Sequence, residues 1–189
     1  WLAEHCRFAE RYEPRWQRAA GPHRNDAVAD RPLRLGFVSP DFCAHSVSFF
    51  FLPLLEALVV QGVEVFCYGN NARNDDVTAD IAAACTGWRS IRALSDEDAD
   101  LLIRQDRVDV LVDLAGHSAD NRLALFGRRP APVQLTYLGY AGTTGMTVFD
   151  GRLVDAITDP AGSERAASEP LLRLNRCFLS YAPRAWPAI

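Results

Sequence analysis

Asp41 and His45 stand four residues apart in Ser39-Pro40-Asp41-Phe42-Cys43-Ala44-His45-Ser46, just ahead of an apolar run with helical character. A carboxylate beside an imidazole can orient the ring or take a proton from a hydroxyl nucleophile. The free N–H groups and positive dipole end of the helix behind them suit an anion such as a phosphate. On spacing alone the pair also reads as a turn or cap acid and a surface histidine. His117, in Asp113-Leu114-Ala115-Gly116-His117-Ser118, comes directly after an apolar run and is open to a ligand-facing or a structural reading. Leu138-Gly139-Tyr140-Ala141-Gly142-Thr143-Thr144-Gly145 offers glycines that let backbone approach a ligand closely, and threonine hydroxyls beside them. It is neither GxGxxG nor a Walker loop, so an ordinary turn remains an alternative. Asp96-Glu97-Asp98 mimics an acidic metal motif, but it opens a helix, where acids are favoured anyway. No His/Cys set has metal-ligand spacing, and no metal is expected. Arg128-Arg129-Pro130-Ala131-Pro132 is a basic loop expected to be solvated or paired with acids.

Holding these residues in place requires a framework, and the chain alternates between two periods. Leu2 to about Ala20 reads as a helix stopped at Gly21-Pro22, with a polar linker from His23 to Asp30 after it. Leu33 to Val38 reads as a strand, Ser46 to Gln61 as a packed helix ending at Gly62, and Val63 to Tyr68 as the next strand. Asp75 to Cys85 is a second helix. Ser95 opens a third, with Asp98 completing a capping-box pattern. Val108 to Leu114 is almost continuously apolar, as in a parallel sheet covered on both faces. A short helix over Asn121–Arg128 and strands over Val133–Leu138 and Arg152–Ile157 complete the series. Strand–helix alternation implies an α/β fold with a Rossmann-like, doubly wound, mostly parallel sheet. Ligands of such sheets bind at the carboxyl ends of the strands, and that rule alone nominates the loops over 39–48, 114–121 and 138–145.

Composition narrows the class further. With 189 residues, 49% hydrophobic and 23% charged, the chain can bury a substantial core, which excludes a disordered, collagenous or disulfide-stapled protein. A net charge of −4 argues against a general nucleic-acid binder. All the basic residues are arginine, which we read as genome composition. The longest apolar stretch, Phe49 to Val60, contains Pro53 and Glu56 and is too short to span a bilayer, so no membrane partner is expected. Five cysteines, odd in number and without a CxxC pair, fit reduced thiols in a cytoplasmic protein without a signal peptide. A start at Trp1 rather than Met suggests that the natural N-terminus lies upstream.

At the nominated loops the sequence resembles a known family. Arg34-Leu35-Gly36-Phe37-Val38-Ser39-Pro40-Asp41-Phe42, then His45-Ser46-Val47-Ser48, resembles the opening of the catalytic region of the protein O-linked N-acetylglucosamine transferases. Val65-Phe66-Cys67-Tyr68, Val108 to Asp113 and Gly116-His117-Ser118 continue the likeness. Arg129-Pro130-Ala131-Pro132-Val133-Gln134-Leu135-Thr136-Tyr137-Leu138-Gly139-Tyr140 carries it most specifically, and Gly142-Thr143-Thr144-Gly145 extends it. The match is collinear from about Arg31 to Tyr181.

The resemblance implies the N-terminal Rossmann-like lobe of a metal-independent, inverting GT-B glycosyltransferase that needs no cofactor. Such an enzyme moves N-acetylglucosamine from UDP-GlcNAc to Ser or Thr hydroxyls of proteins. Residues 1–30 would be the linker after an absent TPR region, 31–182 the lobe, and 183–189 the start of the connection to an absent C-terminal lobe. The UDP-sugar, a protein or peptide acceptor, the C-terminal lobe and the TPR region are the implied partners. By motif position Asp41 and His45 are implied to be catalytic, Ser46, Val47, Leu138 and Gly139 to line the sugar and donor pocket, and His117 and Tyr140 to face the acceptor. Val47 replaces a threonine of some members, and Ala141 the usual proline. A family histidine upstream of the linker is expected to lie before Trp1, and the lysine that neutralises the diphosphate belongs to the other lobe. Two alternatives stay open: a fucose donor, as in SPINDLY-type relatives, and a truncated, non-catalytic binding module.

Overall fold

Strand β1 (Arg34–Ser39) lies at the centre of a seven-stranded sheet and pairs in parallel with β2 (Glu64–Gly69) on one side and β4 (Val110–Asp113) on the other. Outward from β2 comes β3 (Gly87–Ser90); outward from β4 come β5 (Val133–Thr136), β6 (Gly151–Asp155) and β7 (Leu171–Leu174). All six pairings are parallel, and the order β3-β2-β1-β4-β5-β6-β7 reverses direction between β1 and β4. This is the doubly wound arrangement expected from the alternation, and its switch point is where such sheets open a crevice. The structure, a computed structural model, describes residues 1–17, 22–26, 28 and 30–182.

The helices obey their caps and apolar faces. α1 (Leu2–Trp16) carries Pro14 in its last turn; the expected continuation to Ala20 and the Gly21 stop fall outside the described residues from 18 on. α2 (Ser46–Val60) buries Val47, Phe51, Leu52 and Leu55 against the sheet, and Gly62 ends it at φ +81. α3 (Asp76–Ala84) starts with a full capping box, Asp75 and Thr78 each holding the other's backbone N–H at 3.1 Å. α4 (Asp96–Asp106) is capped by Ser95, but Asp98 does not complete the expected box: its carboxylate accepts the Ser95 hydroxyl at 2.7 Å instead of a backbone N–H. α5 (Leu123–Gly127) is shorter than expected.

Two buried clusters cover the two faces of the sheet. One joins Phe37, Phe42, Phe51, Leu55, Ile81 and Tyr137; the other joins Ile91, Ile103, Leu111, Leu125, Phe126 and Phe149. The acids at the start of α4 are dispersed rather than convergent: Asp96 pairs with Arg122 at 2.9 Å and Glu97 with Arg128 at 3.5 Å. Arg129 pairs with Asp150 at 2.9 Å, so of the two readings of the basic loop the paired one applies. All five cysteines are free. Among the described residues no helix is long and apolar enough to cross a membrane.

Candidate functional site

Of the three nominated loops, those after β1 and β4 flank the switch point and the third lies beside them after β5. The first is held rigidly. Asp41 N–H donates to Ser39 Oγ at 3.0 Å, and Ser48 Oγ donates to the Asp41 carbonyl at 2.6 Å. From α3, Asp75 Oδ2 accepts the Ala44 N–H at 2.8 Å and Thr78 Oγ1 donates to the Phe42 carbonyl at 2.7 Å. The Ala44 N–H is the chief reason that Asp75 stays below the usual carboxylate range. Burial, reinforced by the charge of Asp120, pushes Asp41 above its ordinary value, while His45 opposes the shift.

His45 is the N-cap of α2, its Nδ1 accepting the Val47 N–H at 3.3 Å, with Asp41 Oδ2 at 3.7 Å from the same nitrogen. An acceptor at Nδ1 puts the neutral ring's proton on Nε2, which is therefore a donor. Ser46 is exposed at the first turn of α2. Val47 is a core residue, its side chain packed in the phenylalanine cluster and its N–H taken by His45.

The second loop is organised by Asp113 at the end of β4. This fully buried carboxylate accepts the Ala115 N–H at 3.1 Å, the Gly116 N–H at 2.7 Å and the Thr136 hydroxyl at 3.0 Å. Burial outweighs those bonds and raises Asp113 to about 6. His117 Nε2–H donates to the Thr144 carbonyl at 2.7 Å, which leaves Nδ1 with a lone pair. Burial lowers its proton affinity, so the ring is neutral near pH 7.

The third loop begins with a strained turn. Gly139 N–H donates to the Tyr137 carbonyl at 2.9 Å around Leu138 at φ +69, the pattern of the rarer form of γ-turn. Only glycine fits after it: a Cβ at Gly139 would lie 1.8 Å from the Leu114 carbonyl oxygen. Further on, buried Glu169 accepts the Thr144 N–H at 2.6 Å, the Thr143 hydroxyl at 2.7 Å and the Thr144 hydroxyl.

Several participants lie outside the loops nominated from sequence: Asp75, Glu169, and His5 and Glu13 of α1. α1 lies across the second and third loops, with the His5 ring 4.4 Å from His117 and its Nε2 2.9 Å from the Tyr140 hydroxyl. Glu13, further along α1, accepts from the Thr147 hydroxyl at 2.7 Å. Gly145, at φ +78, lets the helix close in, since a Cβ there would stand 2.3 Å from the His5 carbonyl. A sequence signal exists for this contact: Trp1, His5, Phe8, Tyr12 and Trp16 form a ring-bearing stripe at helical spacing. Asp41 and His45 thus come together on one side, and His117 and Tyr140 on the other, with ring centroids 5.6 Å apart. Among the described residues no three His, Cys, Asp or Glu side chains converge to hold a metal ion.

A doubly wound parallel sheet with loops at the carboxyl ends of its strands around the switch point defines a Rossmann-like α/β lobe, whose ligand crevice lies at those strand ends. Residues 17–181 match the model of Glycosyl transferase family 41, and the chain belongs to that family. It is 39% identical over 163 residues to the rice "Probable UDP-N-acetylglucosamine--peptide N-acetylglucosaminyltransferase SPINDLY", covering 84% of this chain and 18% of that protein. The Caenorhabditis elegans UDP-N-acetylglucosamine--peptide N-acetylglucosaminyltransferase is 30% identical over 158 residues, 77% of this chain and 13% of its own. Among solved structures a mutant O-GlcNAc transferase of Thermobaculum terrenum superposes with a TM-score of 0.87 at 36% identity, over 94% of this chain and 34% of that one. The chain spans under a fifth of these relatives' length and about a third of the solved structure.

Proposed function

We propose that this chain is the N-terminal, acceptor-side lobe of a GT-B glycosyltransferase that transfers N-acetylglucosamine from UDP-GlcNAc to Ser or Thr hydroxyls of proteins. The observation that carries this reading is the meeting of all three family-matching loops at one switch point, in a chain that aligns with peptide N-acetylglucosaminyltransferases over most of its length. A C-terminal lobe and a TPR region complete the protein in the cytoplasm. The reaction proceeds with inversion and without a metal.

In this reading Asp41 and His45 act at the sugar, Ser46 and Val47 shape the donor end through backbone at the start of α2, and Leu138 and Gly139 line the sugar pocket. His117 and Tyr140 face the acceptor. The tautomers divide the labour. His45 Nε2 carries a proton and donates, whereas His117 Nδ1 offers the lone pair that accepts from the incoming hydroxyl. Positioning and electrostatics supply most of the rate.

The test is transfer by the full-length protein to a serine peptide, with product anomeric configuration read by NMR and EDTA present in parallel. Asp41→Asn and His45→Ala lower turnover while the fold persists; near wild-type turnover in both sinks the assignment. A second reading, carried by the resemblance to SPINDLY-type sequences and not by the names of the relatives, changes only the donor, to nucleotide-activated fucose. Running GDP-fucose beside UDP-GlcNAc separates the two.

A further inference from the structure

His117 is held from two sides by buried carboxylates that the proposed mechanism does not use. On one side Asp113 takes the N–H of Gly116, the residue before His117, and that of Ala115. On the other, Glu169 takes the N–H and hydroxyl of Thr144, whose carbonyl receives the His117 Nε2–H. Both carboxylates are at least nine-tenths buried, and neither is ion-paired with an arginine among the described residues. Burying an unpaired charge is costly, and amides of the same shape would avoid the cost if filling space were the only task. What an ionised carboxylate offers here is acceptors only, and each of these two receives three donors.

We propose that Asp113 and Glu169 are positioning residues that together fix the orientation of the His117 ring and lock its proton on Nε2, so that Nδ1 is always the free acceptor. Asp113 sets the backbone entering His117, and Glu169 sets the carbonyl that receives its proton. The two ends of the clamp lie on β4 and just ahead of β7, so the His117 tautomer depends on the central and edge strands being in place. The clamp itself stands on these bonds alone; its catalytic consequence rests on the reading of His117 as an acceptor-side residue.

The experiment uses the full-length protein with 13C/15N-labelled histidine, His117→Phe identifying the His117 signal. Wild type should show a single Nε2–H tautomer. Glu169→Gln and Asp113→Asn should shift His117 toward a tautomer mixture while melting stays cooperative. If Glu169→Gln does not fold, Thr144→Val removes just one of its donors and is expected to give the same shift in weaker form. In transfer assays Glu169→Gln should lower kcat/KM by up to about 10²-fold, the loss expected for misplacement of a reacting group near 1 Å. Combined with His117→Phe it should add nothing further, because it acts through that ring. An unchanged His117 tautomer in the variants, or additive losses in the cycle, overturns the proposal. If His117→Phe itself transfers normally, the acceptor-side reading fails instead, and the tautomer measurement still decides the clamp.

Discussion

Gly139→Ala asks whether the close packing of the third loop on the second is needed for function. The added Cβ would sit 1.8 Å from the Leu114 carbonyl oxygen, 2.7 Å from its carbon and 3.3 Å from Ala115 Cα. All three atoms are backbone, so no side chain can swing aside. Ordinary contact begins at 3.4 Å, and the two loops must therefore part by roughly 1.6 Å. Leu114 is fully buried and comes straight after Asp113, whose carboxylate organises the turn into His117, so the cheaper route is for residues 138–140 to move outward. That movement displaces Tyr140 from His5 and breaks the 3.3 Å bond from Ser118 Oγ to the Gly139 carbonyl. Forced overpacking of this kind costs about 1–3 kcal/mol of stability. A shift exceeding 1 Å in a group that positions substrate costs about 10²-fold in kcat/KM.

The assay is transfer by the full-length protein to a serine peptide, with kcat and KM determined separately for donor and peptide, beside a thermal melt. Gly142→Ala is the matched control. Its Cβ would meet only side-chain atoms, Trp1 Nε1 at 2.9 Å and Tyr140 Cε1 at 3.1 Å, which can give way. Gly139→Ala should fall by about 10²-fold and Gly142→Ala by less than about tenfold. Gly139→Ala at wild-type activity and stability would refute the reasoning, as would equal losses in the two variants.

Asp113 should make stability depend on acid. Its folded value of about 6 lies above the unfolded 3.8, so its contribution is full below 3.8 and is lost as pH rises through 6. Wild type should gain about 2 kcal/mol on Asp113→Asn between pH 7 and pH 4, measured by denaturant unfolding, and parallel curves would exclude this. His45→Ala should cost about 1 kcal/mol through loss of the α2 cap, whereas His45→Asn keeps the cap and should restore stability without restoring turnover. Recovery of turnover by His45→Asn would reduce His45 to a capping residue. Asp75→Ala removes both the α3 cap and the Ala44 anchor and should lower kcat on the order of tenfold, with little change if the 41–45 loop holds its shape unaided.

Much of this architecture is visible in the residue pattern because local and global preferences agree. The run from Val108 to Leu114 reads as a covered parallel strand, and β4 lies inside it, between β1 and β5. Strand ends alone nominate the three loops, and the switch point falls between the first two. The two outermost strands are hard to see for a physical reason. β3, Gly87–Ser90, contains one apolar residue, and β7, Leu171–Leu174, leaves Leu172 and Leu174 partly in solvent, so neither shows the burial pattern of a central strand. Partners far apart in sequence are equally hidden. His5 meets Tyr140 across 135 residues and Glu169 meets Thr144 across 25, and nothing in the Ser-Glu-Pro context of Glu169 announces a buried carboxylate. Residue pattern locates where chemistry can occur, but not which side chains hold it still.

The electrostatics of the two sides of the crevice differ because the chain continues differently after each strand. Beyond β1 it enters α2, a helix of 15 residues, so its loop ends at the positive end of a helix dipole whose first N–H groups are taken up by His45, with the His45 Nε2–H beside it. Beyond β4 the short α5 begins only at Leu123, leaving no helix end at His117. Carboxylates do the organising there instead: Asp113 and Glu169 hold the backbone, and His117 is left neutral with an unprotonated nitrogen. Under the proposed function, a displacement at a sugar carbon would draw on that asymmetry. Negative charge grows on the departing phosphate, where donors and a positive dipole lower its energy, while the attacking hydroxyl must surrender a proton to a lone pair. Exchanging the two environments would place an acceptor at the leaving group and donors at the nucleophile, raising the barrier at both ends. On the proposed function, the strand order therefore does more than gather the three loops, since it would assign opposite electrostatic tasks to the two sides of the switch point.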